Sequence, residues 1–400
     1  MPKDIDTFFF LLSAGLWGNG NPDIRIDGTT DWQEVYRLAT EQSVLGLVLA
    51  GIEAVQGSWL KVNGSPLVPQ MLLLQWIGEV QLIEQRNKEM NDFVAKLIEK
   101  LRKHDVYAIL VKGQGVAQCY EKPLWRTCGD VDLLLSGDNY DKAKSLLMPL
   151  ASEVETEYVQ EKHLGMTIDG FVVELHGTLH VGLSAKVEKG LDEIKRAIFY
   201  EGKVRSVALD VNDNLNDNGT TKSFKSVQIF LPAANEDVVY VFAHMLQHFF
   251  KEGLGLRQVC DWCRLLYTYR DSLNYGLLES RIRKMGLMSE WRAFGAFAVE
   301  YLGMPAEAIP FLNLDANVDF NHRLKKKADR ICDFILEVGN MGHNRDTSYF
   351  EKYPYLIRKV FSMGRRCGDL IRHARIFPLD SLRFFPRIIF NGLRSAVRGE

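Results

Sequence analysis

Residues 106–136, VYAILVKGQGVAQCYEKPLWRTCGDVDLLLS, constrain the fold of this chain more than any other stretch. An apolar run, 106–111, stops at Lys112-Gly113, a short helix starts at Gln114, and a second apolar run opens with Asp130-Val131-Asp132. Both runs read as strands. Side chains alternate along a strand, so Asp130 and Asp132 share one face while Val131, Leu133 and Leu135 take the other. Close carboxylates repel unless a proton or a cation intervenes, and paired oxygen ligands suit a hard divalent metal such as magnesium. The plainer reading is a solvated strand start, where aspartate is common.

A third acid sharpens the pattern. Thr167-Ile168-Asp169-Gly170-Phe171-Val172-Val173-Glu174-Leu175-His176 reads as a β-hairpin, because Asp-Gly between alternating β-formers is a strong turn signal. Its second strand would bury Phe171, Val173 and Leu175 and leave Val172, Glu174 and His176 on the other face. If that strand lies beside the Asp130 strand, the three carboxylates converge, and such a trio can hold two metals about 4 Å apart for an in-line phosphoryl displacement. Lys112, an ammonium beside a glycine turn, is the natural contact for phosphate oxygens, or else a solvated strand-end lysine. Arg126 would neutralise a phosphate or pair with one of the acids. His176 and His180 would orient Glu174 or the substrate, or serve the structure alone.

The rest of the chain is mostly helical. Periodicity predicts helices over residues 8–16, over 32–56 with Asp31 as N-cap, and over 70–103 with Leu73, Ile77, Val80, Ile83, Phe93, Leu97, Ile98 and Leu101 on one stripe. Another follows over 140–150. The Asn/Asp-rich residues 211–222 lack the ligand alternation and closing glutamate of a calcium loop and read as a polar hairpin tip before a short strand at 227–231. Amphipathic helices are expected over 236–251 and 256–269, and then helices to the end of the chain. On the first two, His244, His248, Cys260 and Cys263 could form a zinc tetrahedron or, as ordinary core and cleft residues, none. From residue 351 arginines interleave with apolar residues, Arg383, Arg387, Arg394 and Arg398 among Phe384, Ile388 and Leu393. That pattern fits an anionic partner, or a terminal helix that keeps its arginines in water.

Composition rules out some classes. A formal charge of −2 gives no global case for nucleic-acid binding, so a polyanion site would be local. Six cysteines in 400 residues fit a reducing compartment rather than a disulfide scaffold. No apolar run reaches the length of about 18 residues needed to span a membrane, so a soluble, cytoplasmic protein is expected.

Taken together, Lys112-Gly113, Ala117, Tyr120, Arg126, Gly129-Asp130-Val131-Asp132-Leu133-Leu134 and Val173-Glu174-Leu175-His176 resemble the pattern of the uncharacterised bacterial nucleotidyltransferase family. That family belongs to the polymerase-β-like superfamily and is related to the AbiEii-type nucleotidyltransferases. The likeness runs from the helical N-terminal part through Gly255-Leu256-Arg257 and Asp261, and it would make His248, Arg257 and Asp261 a helical wall over the nucleotide.

The resemblance implies an α+β fold with a small mixed nucleotidyltransferase-type sheet, N-terminal helices and a C-terminal helical domain, divided here as residues 1–104, 105–235 and 236–400. It implies transfer of a nucleoside monophosphate from an NTP to an acceptor, with release of pyrophosphate. Asp130, Asp132 and Glu174 would be the catalytic carboxylates and the ligands of two Mg2+ ions, with Glu174 completing the metal site or accepting the acceptor's proton. Lys112, Gly113 and Arg126 would bind the nucleotide, and the acceptor would be a protein, a tRNA or a small molecule. One departure stands out. The superfamily usually has Gly-Gly or Gly-Ser at its phosphate turn, closer to its acids, whereas here Gly113 is followed by Gln114 and a longer connection. The departure motivates the alternative of a catalytically inactive binding module on the same fold.

Overall fold

Helical and strand periodicities alternate along this chain, and the computed structural model follows them in an α+β architecture. It describes residues 3–18, 26, 29–55, 61–62, 65–66, 68–213, 223–312, 318–342, 353 and 355–398. In chain order these form α1 (Lys3–Trp17), α2 (Trp32–Glu41), α3 (Leu45–Ala54), β1 (Lys61–Val62), β2 (Ser65–Pro66), α4 (Gln70–Arg102), β3 (Ile109–Val111), α5 (Gly113–Ala117) and β4 (Asp130–Leu134). Then come α6 (Gly137–Leu147), β5 (Glu153–Val154), β6 (His163–Ile168), β7 (Phe171–His176), α7 (Ala185–Tyr200), β8 (Val204–Asp213) and β9 (Ser223–Pro232). Helices α8 (Ala234–Lys251), α9 (Leu256–Tyr269), α10 (Tyr275–Met285), α11 (Met288–Leu302), α12 (Val318–Val338), α13 (Tyr355–Ile376) and α14 (Pro378–Arg398) complete the described chain. None of the helices, among the described residues, is long and apolar enough to cross a membrane.

The chain divides into two compact units, one formed by Glu79–His180 with Leu191–Tyr240, the other by Met1–Gly78, Val181–Gly190 and Val241–Glu400. The first holds a five-stranded sheet in the order β3-β4-β7-β6-β5 and the β8-β9 hairpin. Within the sheet β4 and β7 run parallel and the other neighbours antiparallel. One face of β4 and β7, with Val131, Leu133, Val173 and Leu175, joins a core built with Met90, Phe93, Val94, Leu97, Ile98 and Leu101 of α4. Each such fully buried aliphatic or aromatic side chain contributes about 1.5–3 kcal/mol over its exposed state. The Asp169-Gly170 turn has φ of 50° and 77°, as a two-residue hairpin turn requires. Helix α4 also holds that turn: Arg86 donates to the Gly170 carbonyl at 2.8 Å and its guanidinium lies 4.1 Å over the Phe171 ring, while Phe93 stacks on Phe171.

The other unit is helical. The N-terminal apolar run is core, with Phe8, Leu11 and Leu12 at 0 % exposure. Helices α1 and α3 touch backbone to backbone, because a Cβ at Gly15 would stand 1.9 Å from the Leu47 carbonyl oxygen and one at Gly51 1.8 Å from that of Leu11.

Several elements differ from the sequence reading. The helix expected over 32–56 is two helices, α2 with Asp31 as its cap and α3. Ser43, at φ 56°, breaks the run, and Gln42, 0 % exposed, accepts from the Leu256 amide and donates to the Ile335 carbonyl. The continuous apolar pattern concealed a tertiary role for one polar residue. In α4 the buried stripe starts at Leu72, Trp76 and Val80, leaving Ile77 at 36 % exposure. Strand β9 is longer than the expected 227–231, because β8 supplies a partner along its whole length. The tip of that hairpin, residues 214–222, lies outside the described residues.

Candidate active site

Strands β4 and β7 place the acids. Parallel register sets Asp132 beside Glu174 and Asp130 beside Val172. With Val131, Leu133, Val173 and Leu175 committed to the core, period two leaves Asp130, Asp132, Glu174 and His176 on the opposite face. One carboxylate oxygen each of Asp130, Asp132 and Glu174 lie within 4.8 Å of one another. Asp132 is 1 % exposed, whereas Asp130 and Glu174 are half-buried, so the cluster has a closed floor and an open rim.

Lys112 and His176 meet the floor. Lys112 Nζ stands 2.7 Å from Asp132 Oδ1, and His176 Nε2 is also 2.7 Å from that oxygen. Lys112 reaches it because β3 pairs Val111 with Asp132 and the chain then turns sharply, with Lys112 at φ 57°, ψ −144°. A side-chain-bearing residue in that region stores about 1–3 kcal/mol, which the surrounding contacts must offset. Gly113 follows at φ 38°, and a Cβ there would stand 3.3 Å from the Asp130 carbonyl oxygen, so the turn lies against the acid strand.

His163 completes the face. The hairpin register places it opposite His176, and Gly165 opposite Glu174. His163 Nε2 lies 3.1 Å, and His176 Nε2 3.3 Å, from the same oxygen, Glu174 Oε2. The sequence reading missed His163, although the two-residue turn at Asp169-Gly170 fixes the pairing that brings it here.

Burial and hydrogen bonding oppose one another within the cluster. Burial works to raise the Glu174 pKa, but hydrogen bonds from His163 and His176 and the Lys112 charge outweigh it, holding the carboxyl well below the usual carboxylate range. For His176, burial works against the protonated ring, yet the bonds to Asp132 and Glu174 prevail and raise its pKa. Burial also opposes the Lys112 ammonium, and Asp132 leads the charges that nonetheless hold it above its ordinary range. Tyr240, 2 % exposed, is electrostatically coupled to Lys112 and Asp132, and burial leads in pushing its phenol pKa up.

Other expected site residues have different surroundings. Arg126 is 4 % exposed and donates to the Thr127 carbonyl at 3.2 Å and Cys128 Sγ at 3.0 Å, while its own carbonyl accepts from Asn87. His180 pairs with Asp192 at 2.8 Å. His248, Arg257 and Asp261 belong to the helical unit, where His248 pairs with Glu252.

The zinc tetrahedron does not form. Among the described residues the groups able to hold a metal are His163 with Glu174 and His176, and Asp130 with Asp132 and Glu174. Cys260 and Cys263 are instead 0 % exposed in the core, where burial pushes both thiols up and away from the ligating thiolate form. A Cys260→Ala/Cys263→Ala variant is therefore expected to carry as much zinc as the unaltered protein in metal analysis, and loss of one equivalent would restore the tetrahedron.

A profile described as uncharacterised nucleotidyltransferase matches residues 28–303. No curated protein and no solved structure matches the chain. The profile covers well over half of the 400 residues and takes in Lys112, the three acids and both histidines of the cluster, and on that match the chain belongs to the uncharacterised nucleotidyltransferase family.

Proposed function

We propose that this protein is a metal-dependent nucleotidyltransferase that moves a nucleoside monophosphate from an NTP to an acceptor hydroxyl or phosphate and releases pyrophosphate. The carrying observation is the convergence of the Asp130, Asp132 and Glu174 oxygens within 4.8 Å on an open sheet face. The donor set fits hard divalent cations, since every ligand atom is a carboxylate oxygen and the rim is open to solvent. Bound by these acids, Mg2+ would neutralise triphosphate charge and hold the donor for in-line displacement. The acceptor oxygen bonds to the α-phosphorus as the bond to the pyrophosphate oxygen breaks, a hydroxyl acceptor losing its proton to solvent through the open rim.

The chain's own residues divide the remaining work. A carboxylate held below its usual range is a poor proton acceptor near neutral pH, so Glu174 serves better as a ligand than as the general base. Lys112 and the Gly113 turn adjoin the acids, which supports a role for them in receiving phosphate oxygens. Arg126 would add charge behind them. Six free thiols agree with a reducing, cytoplasmic setting. Of the arginines proposed for an anionic partner, Arg383 is tied to the Met285 carbonyl and Ser184, which leaves exposed ones such as Arg375 for that role. The side chains of Arg387, Arg394 and Arg398 lie outside the described residues.

A thermal-shift screen of the four NTPs with and without Mg2+ tests the reading. Metal-dependent stabilisation by about 2.7 kcal/mol is expected at a hundredfold excess of nucleotide over Kd. A flat response to all four would favour an inactive binding module.

A further inference from the structure

We propose that His163, Glu174 and His176 form a second cation position, chemically unlike the all-oxygen one, that takes a borderline transition metal of the Co2+ or Zn2+ class. The two positions share Glu174, so this assignment extends the proposed metal chemistry, but it stands on its own atoms and does not require nucleotide transfer.

Geometry carries the argument. The three ligand atoms lie within 4.8 Å of one another. His163 Nε2 lies 3.1 Å and His176 Nε2 3.3 Å from Glu174 Oε2, while His176 Nε2 also stands 2.7 Å from Asp132 Oδ1. Zinc-type bonds of about 2.0–2.1 Å in a tetrahedral shell set neighbouring ligands about 3.3–3.4 Å apart, so these spacings already approximate an edge of such a shell. Three donor atoms gathered this closely can be satisfied together by one cation, with His176 Nε2 exchanging its Asp132 contact for the metal.

The support is rigid as well. His163 and His176 are cross-strand partners, and Glu174 lies two residues from His176 on the same face, so ladder hydrogen bonds rather than a loop fix the spacing. Gly165, the cross-strand partner of Glu174, carries no Cβ, and the Glu155 carboxylate lies over it. Side-chain exposures of 26 % for His163 and 25 % for Glu174 leave an approach from solvent. Asp132 keeps Lys112 when His176 turns from proton donor to ligand, so filling the position does not strand a buried charge.

Ligand type sets the metal class. Imidazole suits zinc, copper, iron and nickel, whereas magnesium prefers carboxylate, carbonyl and water. Glu174 would then join a nitrogen-bearing position to an oxygen-only one.

The test is Co2+ titration of the metal-stripped full chain, read by visible absorption, with Zn2+ as competitor. One equivalent of Co2+ should give ligand-field bands that Zn2+ abolishes. His163→Ala and His176→Ala should each weaken Co2+ binding more than about tenfold. Asp130→Asn should keep the bands. Pulsed EPR of the unaltered protein with one equivalent of Co2+ should detect imidazole nitrogen coupling, a readout independent of whether the variants fold. Absence of bands and of nitrogen coupling, or a His163→Ala protein that binds Co2+ as well as the unaltered one, would overturn the proposal and leave the histidines as proton donors to Glu174. Bands without any NTP response would sink the transferase reading and keep the metal site; the reverse result would do the opposite.

Discussion

Asp130→Asn, Asp132→Asn and Glu174→Gln should each lower turnover by at least about a thousandfold, measured as NTP-dependent pyrophosphate release. Each substitution removes one negative charge and an anionic oxygen from the proposed shared cation site. Metal-ion catalysis is worth several kcal/mol of charge stabilisation, and every ~1.4 kcal/mol is a decade in rate. Since the three act as a unit, the triple variant should be little worse than the worst single one. Independent roles would instead multiply the losses. Stability separates the acids. Three carboxylates this close repel, so from charge alone the loss of one should leave the fold intact or stabilise it. That still holds for half-buried Asp130. It does not hold for Asp132, which is 1 % exposed and receives both Lys112 and His176, so Asp132→Asn should lower Tm while Asp130→Asn leaves it level or raises it. Equal melting temperatures would mean that the lysine contact contributes nothing to the fold.

The legible part of this site follows from period two. Alternation in β4 and β7 was enough to assign Asp130, Asp132, Glu174 and His176 to one face, and burial follows that alternation along β7. The parallel adjacency of the two strands was not legible, because nothing local in either strand records its neighbour. His163 lay between these cases. A two-residue turn at Asp169-Gly170 pairs residues equidistant from it, so His163 opposite His176 follows from counting.

Polar residues with long-range partners defeated the same reasoning elsewhere. Gln42 looks like one more position in an amphipathic helix, yet its amide is consumed by backbone groups of residues 256 and 335. The cysteines of α9 had ligand-like spacing but no histidines within reach. Spacing on one element sets a direction, and only packing sets a distance. Lys112 combines both lessons: its position beside a glycine turn was visible, and its buried partner was not.

Lys112→Met should therefore produce two effects at once. The substitution keeps length and backbone conformation while removing the charge, leaving Asp132 with His176 as its other partner. Breaking a buried pair costs about 3–5 kcal/mol, and the surviving His176 contact puts this case near about 3 kcal/mol, readable as a lower denaturant midpoint. The lysine pKa is raised in the folded state, so its contribution is fully present below about pH 10.4 and fades only as pH climbs through the folded value. The stability gap should accordingly be flat between about pH 6 and about pH 9. Lys112→Gly loses the same charge but relaxes φ 57°, ψ −144°, and should recover about 1–3 kcal/mol relative to the methionine variant. Turnover distinguishes a strut from a phosphate ligand. Both variants should lose about a hundredfold or more per folded molecule if Lys112 makes the proposed phosphate contact, since that charge is missing in each. At the same time Mg2+ should bind them more tightly without nucleotide, because Lys112 and a cation compete for Asp132 Oδ1. Unchanged turnover per folded molecule, together with the stability loss, would reduce Lys112 to a structural counter-ion of Asp132.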